Sequence, residues 1–259
     1  MNQENRIDYL INYLKENEDS NIFKSNIDFE DIDEKRNYLR ALMNVRIPYD
    51  LSDDYIKIQD EYLKQRIIEK GVTDINDLTP IENDIYLWQG DITTLKCDAI
   101  VNAANSQMLG CFLPNHKCID NAIHTYAGAQ LRNECYKIMQ KQGHEEKTGD
   151  CKITNAYNLP CRYILHTVGP IVQGELKQEH KDLLKSCYLS CIKKAEEYKL
   201  NSIAFCCIST GVFGFPQKEA AMIAINTIKE YKNNTNSNIK VIFNVFKDDD
   251  LEIYKKLLQ

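Results

Sequence analysis

Cys111, His116 and Cys118 fall within eight residues of one another, on the stretch Gly110-Cys111-Phe112-Leu113-Pro114-Asn115-His116-Lys117-Cys118. Two thiolates and one imidazole form a donor set that suits zinc. A set of three leaves one coordination position for water or substrate, which distinguishes catalytic zinc from closed structural zinc. Zinc held this way polarises an oxygen and lowers the pKa of bound water to about 7. The blander expectation is a metal that only staples the loop, with Phe112 and Pro114 shaping it.

A second stretch suits anion chemistry. Ser209-Thr210-Gly211-Val212-Phe213-Gly214-Phe215 follows an apolar run, and a helical pattern begins just beyond Pro216. Glycines let backbone N–H groups crowd an anion, and a helix N-terminus adds partial positive charge. A diphosphate fits such a loop without a lysine; the alternative is a plain strand-to-helix turn. No Gly-x-Gly-x-x-Gly follows a strand, and no Gly-Lys-Ser/Thr is present. Both absences argue against a dinucleotide-type Rossmann site and a P-loop.

The elements that must position these loops follow from periodicity. Up to about Pro80 the chain reads as helical: Ile7, Leu10, Ile11 and Leu14 recur at helical spacing, then Leu39, Leu42 and Met43, then Tyr55, Ile58, Tyr62 and Ile67. Gly71 and the turn ending at Pro80 close this part, giving an expected N-terminal helical extension over 1–80 and a second unit over 81–259. From there Ile85–Trp88, Ala99–Val101, Tyr163–His166, Ile203–Ile208 and Val241–Phe243 read as short buried strands. Helical patterns at Ile119–Met139, Lys181–Lys199, Lys218–Tyr231 and Asp249–Leu258 separate and follow them. Alternation of this kind predicts an α/β layer sandwich with a largely parallel sheet. Ligands of such sheets sit beyond the carboxyl ends of the strands. The loops Gly90–Thr93, Asn102–Asn105, Ser209–Phe215 and Val245–Lys247 should therefore gather at one edge.

Composition narrows the function classes. The 259 residues are 43% hydrophobic and 27% charged, with a formal net charge of −6. That balance gives no broad basic field for sequence-independent nucleic-acid binding. No apolar run is long enough to cross a bilayer, and the polar start Met-Asn-Gln-Glu-Asn-Arg lacks a secretion signal. A cytoplasmic protein with its ten cysteines reduced is expected, with no membrane or nucleic-acid partner. Cys206 and Cys207 lie in an apolar run, and Cys187 and Cys191 share a helical face, so these four read as core.

Taken in order, Gly90-Asp91-Ile92-Thr93, Asp98-Ala99-Ile100-Val101-Asn102-Ala103-Ala104-Asn105, Ile123-His124-Thr125-Tyr126-Ala127-Gly128, Leu165-His166-Thr167-Val168-Gly169-Pro170 and Ile208–Pro216 resemble the hydrolase branch of the macrodomain family. The resemblance runs from about residue 84 to the end. It implies a three-layer α/β/α fold with a mixed, largely parallel sheet. Where ordinary hydrolase macrodomains carry a glycine-rich run, this chain carries Cys111, His116 and Cys118. That departure resembles the zinc-dependent microbial macrodomains, which remove ADP-ribose from proteins and hold one zinc at the distal ribose.

The resemblance also implies roles. Asp91 accepts a hydrogen bond from the adenine amino group, with the Ile92 N–H supporting the ring; Phe246 stacks on adenine. Ser209, Thr210, Gly211, Val212 and Phe213 wrap the diphosphate, Phe213 also covering the distal ribose. Asn105 hydrogen-bonds that ribose, while Asn102 is expected to brace its own loop. Asp120 is either an N-cap or first-turn helix carboxylate or a group that orients or deprotonates the attacking water or binds a ribose hydroxyl. His124, one turn further on, faces the same site or packs beneath it.

The implied reaction is hydrolysis of an ADP-ribosyl ester to Asp or Glu, in preference to an arginine linkage. A non-catalytic ADP-ribose reader and a hydrolase of O-acetyl-ADP-ribose are the alternatives. The implied partners are an ADP-ribosylated protein substrate, such as a lipoylated carrier resembling the glycine-cleavage H protein, and the sirtuin-like ADP-ribosyltransferase that modifies it.

Overall fold

The computed structural model describes residues 1–17 and 28–259. Three helices come first: α1 (Gln3–Asn17), α2 (Ile32–Val45) and α3 (Asp53–Lys70). Asp31 caps α2 by accepting from the N–H groups of Asp33 and Glu34, and Ser52 caps α3 through Tyr55 N–H. Each satisfies donors that a helix N-terminus leaves open. Gly71, at φ +85°, ends α3. The apolar faces of these helices, with Leu10, Leu14, Leu39, Leu42 and Leu63 all buried, form a cluster that also takes in Ala129.

The sheet follows: β1 (Thr73–Asp74), β2 (Ile85–Gln89), β3 (Leu95–Lys96), β4 (Ala99–Ala104), α4 (Ile119–Ala127), α5 (Ala129–Gln142), β5 (Cys151–Asn155), β6 (Tyr163–Val168), α6 (Gln178–Glu197), β7 (Ser202–Phe205), α7 (Gln217–Thr235), β8 (Lys240–Val245) and α8 (Asp248–Leu258). Six strands lie in the order β2-β8-β7-β4-β6-β5. Every pairing is parallel except β5 with β6. β1 and β3 form a separate two-stranded parallel pair. The sheet is sandwiched in three α/β/α layers: α6, α7 and α8 pack against one another on one side, and α4 and α5, backed by α2 and α3, on the other.

The central strands read as near-continuous apolar runs because both faces are covered. Ile100, Val101, Ile164, Leu165, Ile203 and Ile242 are each wholly buried. Cys187, Cys191 and Cys206 are buried in the same core, whereas Cys207 is half-buried.

Four expectations are corrected. The pattern over Ile119–Met139 is not one helix, because Gly128 at φ +98° ends α4 and starts α5. That φ favours glycine, and a Cβ there would also meet the Gln59 and Gln130 amide ends at 2.8 Å. The strand expected to run to Ile208 stops at Phe205, where the chain leaves the sheet toward a turn that holds Ser209 at φ +64°. The antiparallel edge strand β5 was not anticipated. Nor was the short strand within the first 80 residues, where Thr73 and Asp74 pair with Leu95 and Lys96.

Candidate functional site

β2, β8, β7, β4 and β6 run parallel, so the loops after Gln89, Val245, Phe205, Ala104 and Val168 emerge at the same edge. The expected loops therefore lie at the carboxyl edge of the sheet, with the correction that Asn102, Ala103 and Ala104 continue β4 and Val245 ends β8, so those two loops begin at Asn105 and Phe246.

At one end lies the Gly90–Thr94 turn. Gly90 is compelled: a Cβ there would lie 2.4 Å from the Trp88 indole. Asp91 caps the 3-10 turn Ile92–Thr94, its Oδ1 accepting from Thr93 N–H at 2.9 Å and Thr93 Oγ1 at 2.6 Å. Its Oδ2 forms an ion pair with Lys70, the last residue of α3. Burial opposes ionisation of Asp91, but the Lys70 ammonium and the Thr93 donors outweigh it and hold the carboxyl below its usual range. Lys70 also sits 3.7 Å from the centre of the Tyr126 ring. Ile92 is buried, whereas Phe246, after β8, is 73% exposed and offers a free aromatic face beside this turn.

In the middle lies the Ser209–Phe215 loop. Its fold is fixed by Phe215 N–H to Ser209 O at 3.0 Å, Gly214 N–H to Gly211 O at 3.0 Å, and Val172 N–H to Phe213 O at 2.8 Å. Ser209 packs so tightly on Gly169 that a Cβ there would lie 2.1 Å from its Oγ. Among the described residues, the N–H groups of Gly211, Val212 and Phe213 make no backbone hydrogen bond, while Thr210 N–H reaches Cys207 O only at 3.4 Å. Val212 is 81% exposed, so the loop lies at the surface with three N–H groups free of backbone acceptors, which an anion cradle requires.

At the other end is the loop from Asn105 to Cys118. Asn105 holds the turn after β4: its Oδ1 accepts from Gln107 and Met108 N–H, and its Nδ2 donates to Gly110 O at 3.1 Å. The ligating atoms of Cys111, His116 and Cys118 all lie within 4.8 Å of one another, with Cys111 Sγ 3.6 Å from His116 Nδ1. All three side chains are half-buried. Cys118 is itself the N-cap of α4, its sulfur accepting from Asn121 N–H at 3.4 Å.

The donor set fits a divalent borderline-soft cation such as zinc. A helix N-terminus pointing at a sulfur favours thiolate. Without a cation, burial pushes the Cys118 thiol up to about 12 despite that N–H; a coordinated metal reverses this outright.

Asp120 stands in the first turn of α4 but does not cap it, since Cys118 does. Its carboxylate turns inward. Asn102 Nδ2 donates to Oδ1 at 2.8 Å, and Asn105 Nδ2 approaches Oδ2 at 3.4 Å. Burial raises the Asp120 pKa to about 6, partly offset by the Asn102 amide and the Arg132 guanidinium. The expectation that Asn102 braces its own loop is corrected: it lies in β4, where it holds Asp120 and contacts His166 Nδ1 at 3.1 Å. His124 packs beneath the loop, its ring 2.7 Å from where a Gly110 Cβ would be. Its Nε2 is 3.6 Å from Asp120 Oδ1.

A second trio, His124, Cys135 and His166, also brings ligating atoms within 4.8 Å, but it is wholly buried. Both His166 ring nitrogens are already engaged, by Asn102 and by Thr154 Oγ1. His166 is therefore already satisfied, whereas neither ring nitrogen of buried His124 has a hydrogen-bond partner among the described residues.

Residues 101–224 match the family model described as Macro domain. A "Protein-ADP-ribose hydrolase" of Treponema medium is 52% identical over 262 residues, spanning 100% of both chains. The chain belongs to the macrodomain family. A second relative of this macrodomain, a "Protein-ADP-ribose hydrolase" of Staphylococcus aureus (strain MSSA476), is 52% identical over 97% of this chain and 94% of its own. Among solved structures, the Trypanosoma brucei macrodomain in complex with ADP-ribose superposes with a TM-score of 0.66 at 30% identity, covering 90% of this chain and 97% of that one.

Sequence reasoning missed the residues of the N-terminal helices that touch this macrodomain's site, Arg40, Asn44 and Lys70, and also Asn121. No local signal marks them: Arg40 meets Asn121 across 81 positions of chain.

Proposed function

We propose that this macrodomain is a zinc-dependent hydrolase that removes ADP-ribose from modified proteins by cleaving esters to Asp or Glu. The supporting observation is the convergence of a three-residue ligand set with one inward-turned carboxylate. Cys118 ends the ligand set and caps α4, and Asp120, two residues on in the first turn, is held by Asn102 and approached by Asn105 of the Asn-Ala-Ala-Asn motif. A pure binding module has no use for an open metal position beside a restrained carboxylate. Names of the relatives support hydrolysis and the T. brucei complex supports ADP-ribose as the bound moiety.

In this assignment Asp91, the Ile92 N–H and Phe246 receive adenine, and Ser209–Phe213 receive the diphosphate through N–H groups that have no backbone acceptor at Gly211, Val212 and Phe213. Cys111, His116 and Cys118 hold one zinc per chain beside the distal ribose. When bound, the zinc supplies Lewis-acid polarisation of an oxygen. Asn105 fixes Gly110 and reaches toward Asp120, and so aligns the ribose end of the site. Asp120 orients the attacking water, its carboxylate steadied by Asn102. The substrate partners are ADP-ribosylated proteins, among them a lipoylated carrier modified by a sirtuin-like transferase.

The test is elemental analysis of the purified protein, with turnover of an ADP-ribosyl-aspartate or -glutamate protein measured with and without chelator. One zinc per chain is expected, with a loss on the order of 100-fold on chelation or in Cys118→Ala. Undiminished turnover by folded, metal-free protein would exclude the zinc mechanism. Tight ADP-ribose binding without turnover would make the protein a reader. Faster turnover of O-acetyl-ADP-ribose than of the modified protein would make it a metabolite hydrolase.

A further inference from the structure

The metal loop has no helix or strand between Cys111 and Cys118, and its polar contacts come from Asn121 of α4, which also donates to Cys111 O, and from the N-terminal helix α2. Asn115, at φ +54°, donates its N–H to Asn44 Oδ1 at 2.9 Å. Asn44 is 1% exposed, and its Nδ2 is fixed by Thr125 Oγ1 at 2.9 Å. One helical turn earlier, the Arg40 guanidinium donates to His116 O at 3.2 Å and to Asn121 Oδ1 at 2.8 Å. Asn121 is fully buried and donates through Nδ2 to Leu113 O at 3.0 Å, while its own N–H reaches Cys118 Sγ. Positions 40 and 44 share a helix face, and they grip the backbone at Asn115 and His116, between the two cysteines.

We infer that α2 is a positioning element for the metal site: Asn44 at Asn115 N–H, and Arg40 at His116 O and at Asn121, hold the loop in the shape that presents Cys111, His116 and Cys118 to one cation. The inference rests on the zinc assignment above and extends it to residues that contact neither metal nor nucleotide. Residues that orient metal ligands typically cost 10–100-fold in metal affinity when removed. The N-terminal helices therefore serve the site itself.

The experiment measures zinc affinity of the full chain by competition with a chromophoric chelator, beside thermal unfolding of the same samples. Arg40→Met and Asn44→Ala should each bind zinc roughly 10–100-fold more weakly. Asn44→Asp, which keeps the acceptor for Asn115 N–H, should recover part of that loss. Both Arg40 bonds leave from Nη2; Arg40→Lys keeps a charged donor but loses the planar guanidinium that places it, and should fall between wild type and Arg40→Met; it also serves if the harsher variant fails to fold.

Gln59→Leu is the control. It removes the Gln59 bonds to Ala129 N–H and Gln130, away from the loop, and should lower the melting temperature with zinc affinity within twofold of wild type. Equal zinc affinity in folded Arg40→Met and Asn44→Ala overturns the inference. So does a loss in Gln59→Leu as large as theirs, because general destabilisation then suffices. A wild-type chain that binds no zinc overturns the metal assignment itself, and this inference with it.

Discussion

Asp120 owes its orientation to a chain of neutral polar groups that ends at a buried histidine. Asn102 and His166 are register partners on β4 and β6. Asn102 Nδ2 is a donor, so His166 Nδ1 must accept, which leaves the ring proton on Nε2 to donate to Thr154 Oγ1 at 2.9 Å. Protonating His166 would set one N–H against another, and burial holds its pKa down to about 3. The pH dependence follows from linkage. The unfolded imidazole takes up a proton below about 6.5, and the folded one refuses it until about 3. Stability is thus complete above the upper value and lost as pH falls between the two, at up to about 1.4 kcal/mol per pH unit. His124, lowered by burial in the same direction, adds to the same window. His166→Gln should lose roughly 1–3 kcal/mol at neutral pH but show a shallower acid slope in urea unfolding between pH 4.5 and 8; parallel slopes would refute the account. The metal trio was legible in the sequence because it lies on one loop, and Asn102 stood out within its motif. The bond between Asn102 and His166 was not, because 64 residues separate them and only sheet register brings them together.

The helices and strands follow the same division between local and non-local. Four central strands, β4, β6, β7 and β8, were legible as apolar runs, since burial on both faces removes any need for polar alternation, and the edge strand β2 was legible through Ile85, Tyr86, Leu87 and Trp88. β5, at the other edge, escaped: of Cys151, Lys152, Ile153, Thr154 and Asn155, only Thr154 is buried. What no periodicity shows is which element end lands on which loop, and α3 is the case that matters. Its last residue, Lys70, reaches Asp91, Thr93 Oγ1 at 3.1 Å and the Tyr126 ring. A cation is favourable at a helix C-terminus; here it also neutralises a carboxylate proposed to receive adenine. Lys70→Met should cost about 1 kcal/mol at pH 7 and weaken ADP-ribose binding, because Asp91 loses the partner that fixes Oδ2. Asp91 is depressed in the native protein, so its contribution is present above the unfolded carboxylate value of about 3.9 and is lost as pH falls through the folded one. The stability gap between wild type and variant should therefore close in acid. Denaturant titrations at pH 7 and pH 3, with calorimetric titration of ADP-ribose, measure both effects; a constant gap, or unchanged affinity, would show that the pair is ornamental.

At the scale of the whole molecule, the two apolar clusters meet along α3. Tyr62 and Leu63 belong to the N-terminal cluster, yet Ile67, one turn on, and Ile75 beyond it belong to the sheet core. Ala129 on α5 returns the contact by packing into the N-terminal cluster. The clusters are bridged by Arg132 from α5, whose guanidinium donates to the carbonyls of Met43 and Asn44 at the end of α2. A chain of this length commonly unfolds through intermediates, so cooperativity between the clusters is a consequence to be tested. The protein has one tryptophan, Trp88 on β2, whose fluorescence reports the sheet, whereas helical circular dichroism reports both clusters. Leu10 lies in α1, wholly buried in the N-terminal cluster, and Leu10→Ala should cost about 2–5 kcal/mol. Because α3 and Arg132 couple the clusters, that loss should lower the Trp88 midpoint as far as the dichroism midpoint, roughly 2–4 °C per kcal/mol. An early helical phase with the Trp88 transition unmoved would show that the helices unfold by themselves. A site gripped by Arg40, Asn44 and Lys70 would then lose its supports before its sheet.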